Sequence, residues 1–174
     1  MPENEDSRAL VFGSAVHAMI DGSFSKSFAV APDAFKTATS DKFAQWCSEQ
    51  PEDVECITAK EHQDAKASAE SIRRKIGLAI ASRRVIREPS ILWTQETETA
   101  RIPCKCRPDL LVEMGEGEWL YLEIKTAADI GYWAWRNAMR RYCYWLQQAH
   151  YESGILAAGA NSVRTLFVAV RKSS

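Results

Sequence analysis

The pattern of hydrophobic and polar positions divides the chain into helical and extended stretches. Apolar residues at helical spacing predict a helix over residues 7–21 and a second helix from a capping box at residues 58–61 to about Val85. Alternating positions then predict three strands, a long helix over residues 130–153 and a last strand over residues 163–170. A strand, a long helix and a strand in succession favour parallel neighbours joined by a right-handed crossover. The pattern therefore predicts an α/β domain with a central mixed β-sheet flanked by helices.

Residues 22–57 lack a comparable pattern and are predicted to form an irregular insertion, with one or two helical turns over residues 41–48. The length of 174 residues and the 46% hydrophobic content fit a single globular domain over residues 1–174. Its core is expected in residues 7–21 and 58–170.

Charge and cysteine content narrow the function classes. The formal charge is −1, so contact with nucleic acid would have to come from local basic clusters. No apolar stretch is long enough to span a membrane, and the acidic start differs from the basic start of a signal peptide. The five scattered cysteines are then expected to be free thiols of a cytoplasmic protein.

Candidate chemistry is concentrated on the second and third predicted strands. The first of these carries Asp109 beside Lys105 and Arg107, and the next carries Glu123 and Lys125 on one face. The glycines and acids of residues 113–118 are typical of a hairpin turn, which would bring Asp109 and Glu123 side by side. Two converging carboxylates suit a hard divalent cation such as Mg²⁺, and a neighbouring lysine can orient or deprotonate water. The alternative is a solvated hairpin whose charges keep the sheet soluble.

Three further patterns admit two interpretations each. His17, near the apolar face of the first helix, is either a core histidine or a third metal ligand. Cys104 and Cys106 with Cys143 are either free thiols or an incomplete metal or iron–sulfur site.

The third pattern is a polar and aromatic stripe on the long helix, which is either the border of an ordinary amphipathic helix or a functional face. It contains Arg140, Tyr144, Gln147 and Tyr151, and Met139, Cys143, Leu146 and Ala149 form the apolar face beside it. Gly154 is expected to end this helix.

Several motifs together resemble a known superfamily. Pro108-Asp109 followed by Glu123-Ile124-Lys125 resembles the motif of the PD-(D/E)xK nucleases. Within that superfamily, residues 13–17, 88–93, 104–110 and 147–151 are similar to the RecE-like (exonuclease VIII) recombination exonucleases of phages and prophages.

The resemblance implies a Mg²⁺-dependent exonuclease, with Mn²⁺ as a substitute, that degrades linear double-stranded DNA from its 5′ end during recombination. It implies metal ligation by Asp109 and Glu123, the Ile124 carbonyl and His17, with Glu88 as a weaker candidate for a second cation. Lys125 would position or activate water. Gln147 and Tyr151 would orient the DNA, and Lys105, Arg107 and Arg140 would contact its backbone.

The same resemblance implies partners: duplex DNA ends, a single-strand annealing protein, and a ring-like homo-oligomer (trimer or tetramer). Three other hypotheses stay open. One is a Cas4-like nuclease, which the lack of cysteines after Cys143 disfavours. The others are a structure-specific endonuclease and a non-catalytic DNA-binding module of the same fold.

Overall fold

The computed structural model describes residues 5–171, with the side chains of residues 8–77 and 80–171. The helices are α1 (Glu5–Asp21), α2 (Phe24–Ser27), α3 (Asp41–Ser48), α4 (Ala59–Ile80), α5 (Tyr132–Arg141) and α6 (Tyr144–Ala157). The strands are β1 (Phe28–Val30), β2 (Glu55–Ile57), β3 (Val85–Arg87), β4 (Ile91–Glu96), β5 (Arg101–Cys106), β6 (Leu110–Gly115), β7 (Glu118–Ala127) and β8 (Ser162–Arg171). The described residues form two compact units, residues 5–75 and residues 76–171.

In the first unit, α1 packs through Phe12, Ala15, Val16 and Ala18, which are all buried. Leu10 is 73% exposed, because the buried stripe of this helix runs through the positions beside it. The predicted capping box is confirmed. The backbone N–H of Thr58 donates to Glu61 Oε2 at 2.9 Å, and the N–H of Glu61 donates to Thr58 Oγ1 at 3.2 Å.

Residues 22–57 are more ordered than the irregular insertion that the sequence suggested. They contain α2, α3 and the parallel pair β1 and β2, and the predicted helix over residues 41–48 is present with Phe43 buried. The helix expected to reach Val85 ends at Ile80, and β3 begins at Val85. Ser82, with a φ of 61°, lies in the left-handed region between the two elements, where the helical conformation cannot continue.

The second unit is built on a mixed four-stranded sheet in the order β3-β6-β7-β8. Strands β3, β6 and β7 pair antiparallel, whereas β8 runs parallel to β7, as the strand–helix–strand pattern predicted. Strands β4 and β5 form a separate antiparallel ribbon. The core cluster of the second unit contains Leu111, Tyr121 and Ile155, which join the four-stranded sheet to α6.

The predicted long helix over residues 130–153 is two helices. They are separated at Tyr142 and Cys143, and Cys143 has a left-handed φ of 51°. The single stripe from Arg140 to Tyr151 is therefore wrong, since Arg140 belongs to α5 and the other members belong to α6.

The apolar face expected beside that stripe is also wrong. Cys143, Leu146 and Ala149 are exposed, because α6 turns its tyrosines and glutamines inward instead.

Gly154 lies inside α6 and does not end it. A Cβ atom there would approach the ring of Trp93 to 2.7 Å and Cys106 Sγ to 2.9 Å, so a glycine allows α6 to pack closely on the β4–β5 ribbon. The α6 C-cap is Ala158, and Gly159, with a φ of +102°, lies beyond it.

Candidate active site

The β6–β7 hairpin forms as the sequence predicts, and its turn sets the position of the neighbouring strand as well. Gly117 has a φ of +74°, and a Cβ there would collide with the side chain of Asn161 at 2.3 Å, so the turn requires glycine. The Gly117 carbonyl accepts the backbone N–H of Asn161 at 2.7 Å just before β8 begins. One turn residue therefore fixes both the hairpin and the start of its parallel neighbour.

Asp109 lies in a break between strands, where the sequence predicted a continuous strand. Strand β5 ends at Cys106 and β6 begins at Leu110. Pro108, which has no N–H to donate to a strand partner, lies in this break. Asp109 Oδ2 accepts the backbone N–H of Ile124 at 2.6 Å, and the Asp109 carbonyl accepts the N–H of Glu88 at 3.0 Å. The break thus directs the Asp109 carboxylate to the residue next to Glu123.

Glu123 is a buried carboxylate, 3% exposed, that accepts hydrogen bonds from three side chains. Lys125 Nζ donates to Glu123 Oε1 at 2.7 Å and Gln147 Nε2 donates to the same oxygen at 2.6 Å. The Tyr121 hydroxyl donates to Glu123 Oε2. A buried carboxylate persists only when it is paired and hydrogen-bonded, and this one is both.

Lys125 is held from three directions. Its ammonium donates to Glu123 and to Gln147 Oε1, the latter at 3.0 Å, and it lies 4.7 Å from the centroid of the Tyr144 ring. A cation over an aromatic face gains electrostatic stabilisation from the ring. The end of the lysine is therefore fixed in position next to the Glu123 carboxylate.

Two tyrosines belong to this network. The sequence patterns gave Tyr121 no role, and they placed Tyr144 only on the polar and aromatic stripe. Burial, followed by the charge and hydrogen bond of Glu123, raises the pKa of Tyr121 far above its ordinary value. Burial, followed by the neighbouring Tyr142 and Glu123, also raises the pKa of Tyr144. Both remain neutral phenols, so Tyr121 stays a hydrogen-bond donor at every physiological pH. Their placement on the strand face of Glu123 and on the helical stripe of Gln147 was the available signal.

The donor set can be compared with what a divalent cation needs. Asp109 Oδ2 accepts the backbone N–H of Ile124, so the Asp109 carboxylate lies against the residue that follows Glu123 in β7. Carboxylate oxygens are the ligands that Mg²⁺ prefers, and it is commonly bound by one or two carboxylates while it keeps several waters. Among the described residues, no group of three His, Cys, Asp or Glu side chains could hold a metal ion. The acids therefore fit Mg²⁺ as a pair.

Other predicted site residues are placed at different distances from this pair. Gln147 hydrogen-bonds the Glu123 carboxylate directly. Tyr151, one turn further along α6, packs on the core with its ring 5.6 Å from that of Tyr121, so its contact with DNA stays a prediction. Lys105 and Arg107 are exposed at the end of β5 and in the break that leads to Asp109. Arg140 is exposed on α5.

Metal ligation stays a prediction for all of the expected residues, Asp109 and Glu123 included. Ile124 meets Asp109 through its backbone N–H, while its carbonyl was the expected ligand. Glu88 adjoins Asp109 through its backbone. His17 is half-buried on α1, in the first unit.

The cysteines form no cluster of their own. All five are free thiols, and only Cys106 is buried. The alternative of a metal or iron–sulfur site at Cys104, Cys106 and Cys143 has no support in the described part of the chain.

The mixed sheet, the strand break at Asp109 and the Glu123-Ile124-Lys125 strand are those of a PD-(D/E)xK-like α/β domain. The chain belongs to the family described as a PDDEXK-like domain of unknown function (DUF3799), whose model matches residues 1–174.

Comparison with other proteins adds little to this assignment. Curated proteins include no match to this sequence. A solved structure titled "Crystal structure of SSO0001" is similar over 93% of this chain and 74% of its own, with 13% identity and a TM-score of 0.32. No helix within residues 5–171 has the length and apolar character needed to cross a bilayer.

Proposed function

We propose that this protein is a Mg²⁺-dependent deoxyribonuclease that degrades linear double-stranded DNA as an exonuclease, from the 5′ end. The observation that carries the proposal is the buried Glu123 carboxylate, hydrogen-bonded by Tyr121, Lys125 and Gln147, beside Asp109. The family supports a nuclease-type fold. The direction of degradation and the role in recombination rest on the resemblance of the sequence motifs alone.

Asp109 and Glu123 would hold the cation. When bound, Mg²⁺ lowers the pKa of a coordinated water and offsets the negative charge that builds on the phosphate. Gln147 and Tyr121 keep the Glu123 carboxylate in one orientation, since each donates to a different oxygen. This preorganisation matters because small displacements of catalytic groups reduce rates strongly.

Lys125 would hold a phosphate oxygen and orient the attacking water. Its ammonium already donates to Glu123 and Gln147, so its end lies beside the cation-binding carboxylate before DNA arrives. Lys105 and Arg107, exposed on the approach to Asp109, would contact the DNA backbone without reading its sequence.

The test is digestion of linear and circular duplex DNA in Mg²⁺, with labels at the 5′ or 3′ end. Wild type should degrade only linear DNA and release the 5′ label first, and Lys125→Ala should be inactive. Lys60→Ala is the matched control, because Lys60 is exposed and pairs with Asp64 on α4. Cleavage of circles would instead indicate an endonuclease. Binding of either DNA without cleavage would indicate a non-catalytic module, and equal activity of Lys125→Ala would remove the proposed role of that lysine.

The expected partners are proposals of the same kind. If the protein forms a ring-like trimer or tetramer, its sedimentation coefficient should be well above that of a monomer. Co-purification with a single-strand annealing protein would support a role in recombination.

A further inference from the structure

Exposed aromatic side chains are concentrated in one stretch of the second unit. Among the described residues, the aromatic side chains that are largely exposed are Tyr132, Trp133, Tyr142 and Trp145, each between 56% and 71% exposed. All four lie on α5, at the start of α6 or between the two helices. We refer to residues 132–145 as the α5–α6 surface. Single exposed apolar residues are normal on a protein surface. Several large exposed rings in one place indicate a binding surface.

This surface is also basic. Residues 130–151 contain three arginines (136, 140 and 141) and no Asp or Glu, although the whole chain carries a formal charge of −1. Two of the arginines lie against exposed rings. The guanidinium carbon of Arg136 lies 5.4 Å from the Trp133 ring centroid, and that of Arg141 lies 5.5 Å from the Tyr142 ring centroid. A negatively charged ligand with flat apolar groups would match both properties.

The α5–α6 surface is continuous with the candidate active site. The Tyr142 ring stacks on Tyr144, with 5.6 Å between centroids and an interplanar angle of 24°. Tyr144 in turn lies under the Lys125 ammonium. A ligand stacked on Tyr142 would therefore be linked to the proposed catalytic lysine by two contacts, that of Tyr142 with Tyr144 and that of Tyr144 with Lys125.

We propose that the α5–α6 surface binds single-stranded DNA and directs the strand to the site around Lys125. The second half of this statement rests on the proposed nuclease function, whereas the binding does not. Unpaired bases expose their faces and stack on aromatic side chains, while arginines bind the phosphates between them. A duplex hides its base faces and would leave the four exposed rings without a counterpart.

A second copy of the chain is a weaker candidate for this surface. A two-fold contact would bring the same patch of each copy together, so the three arginines would face like charges with no acid on the surface to compensate.

The test measures binding of the full-length protein to fluorescently labelled oligo(dT) by anisotropy in EDTA, so that no cleavage is needed. Each ring that is removed takes away one stacking partner for a base. Trp133→Ala with Tyr142→Ala should therefore weaken oligo(dT) binding at least tenfold and change binding of a blunt duplex by less than about threefold. Leu92→Ala, on an equally exposed apolar residue of β4, is the control and should change neither.

A second variant tests the arginines without removing a ring. Arg136→Ala with Arg140→Ala should reduce the slope of log affinity against log salt for oligo(dT) by about 1.4, since each phosphate contact on a single strand contributes about 0.7. Circular dichroism should show that both double variants keep the helical content of wild type.

Unchanged oligo(dT) binding in both double variants would overturn the proposal, and so would an equal loss of duplex binding. Self-association of wild type that the ring variant abolishes, with oligo(dT) binding intact, would assign the surface to a second copy. The two proposals can fail separately. A protein that binds oligo(dT) through these residues but cleaves no DNA retains this inference and loses the nuclease function.

Discussion

Two antiparallel hairpins follow one another in residues 91–127, and each carries an acid–base ion pair. In the β4–β5 ribbon, Arg101 Nε lies 3.2 Å from Glu96 Oε1, with both side chains at least 70% exposed. In the β6–β7 hairpin, Lys125 Nζ lies 2.7 Å from Glu123 Oε1, and the glutamate side chain is 4% exposed. The charges and distances are similar, but the surroundings differ. Within residues 5–171 only the second pair has further side-chain partners, since Tyr121 and Gln147 hydrogen-bond Glu123 and the Tyr144 ring lies against Lys125.

The difference teaches that burial, and not pairing, distinguishes a candidate site from a surface contact. An exposed pair contributes less than about 1 kcal/mol because water and salt screen it. A buried pair is costly to break, because the partner that remains is a charge without compensation.

The largest expected effect comes from breaking the buried pair. Lys125→Met should lower the free energy of unfolding by about 3–5 kcal/mol, because Glu123 would remain buried without its counter-charge. Arg101→Met, the matched change in the ribbon, should shift it by less than about 0.5 kcal/mol. Urea denaturation measures both. Adding Glu123→Gln to Lys125→Met should restore part of the loss, and equal effects of the two single variants would contradict the comparison.

A smaller effect should come from the contact that ties the ribbon to α6. Gly154→Ala would place a methyl group against Trp93 and Cys106, and such overpacking costs about 1–3 kcal/mol. Gly77→Ala in α4 is the control, since nothing lies within 4 Å of its added Cβ. There the better helix propensity of alanine should stabilise the protein by up to about 1 kcal/mol. Thermal unfolding of the two variants should shift in opposite directions.

Next in size is the hydroxyl that orients Glu123. Tyr121→Phe removes the donor to Glu123 Oε2 and should cost about 1–2 kcal/mol of stability, because a buried acceptor loses its partner. A double-mutant cycle with Glu123→Gln isolates this contact, and we expect a coupling energy of about 1 kcal/mol. Purely additive effects would show that the hydroxyl acts through packing and not through the carboxylate.

The smallest effect is a dependence of stability on pH. Burial raises the pKa of the Cys106 thiol, on the ribbon, from 9.0 to about 11. Below pH 9 both folded and unfolded chains keep this proton. Above pH 9 the thiol ionises in the unfolded chain before it ionises in the folded chain. The free energy of unfolding therefore falls as the pH rises toward the pKa of the folded chain.

We expect a loss of about 1 kcal/mol between about pH 8 and pH 10 from this thiol. Cys106→Ala should remove that loss, whereas Cys143→Ala, at an exposed thiol, should leave it unchanged. Denaturation curves at the two pH values give the comparison. A loss of the same size in Cys106→Ala would assign the effect to other groups.

The sequence predicted the hairpin and its parallel neighbour because their signals are local. Leu122 and Ile124 alternate in the sequence with the residues of the opposite face, and the preceding turn contains two glycines. The meeting of Asp109 with the strand of Glu123 followed from these two facts.

The helix break at Cys143 could not be predicted in the same way. Residues 130–151 contain no proline and no glycine after Gly131, so their pattern continues as one helix. The break is stabilised by packing that the local sequence does not encode, with Tyr142, Tyr144 and Trp135 stacked around it.

The role of Tyr121 also depended on packing. A strand residue that faces the same side as Glu123 can point to solvent or to a covering helix, and only the placement of α6 decides between them. The strand β3 was missed for a related reason. Its three residues follow a helical stretch that contains no proline, so the predicted helix was extended to about Val85.

The separation of α5 from α6 has a consequence for local opening. None of the ten residues of α5 is buried, whereas α6 buries Gly154 and Ile155. A helix with no buried residue opens at a small fraction of the global unfolding free energy. The amides of α5 should therefore exchange with deuterium well before those of α6, although only two residues separate the helices. A segment that opens so readily can adjust its shape to a bound strand, and protection that appears in α5 alone on adding DNA would be the mark of that adjustment.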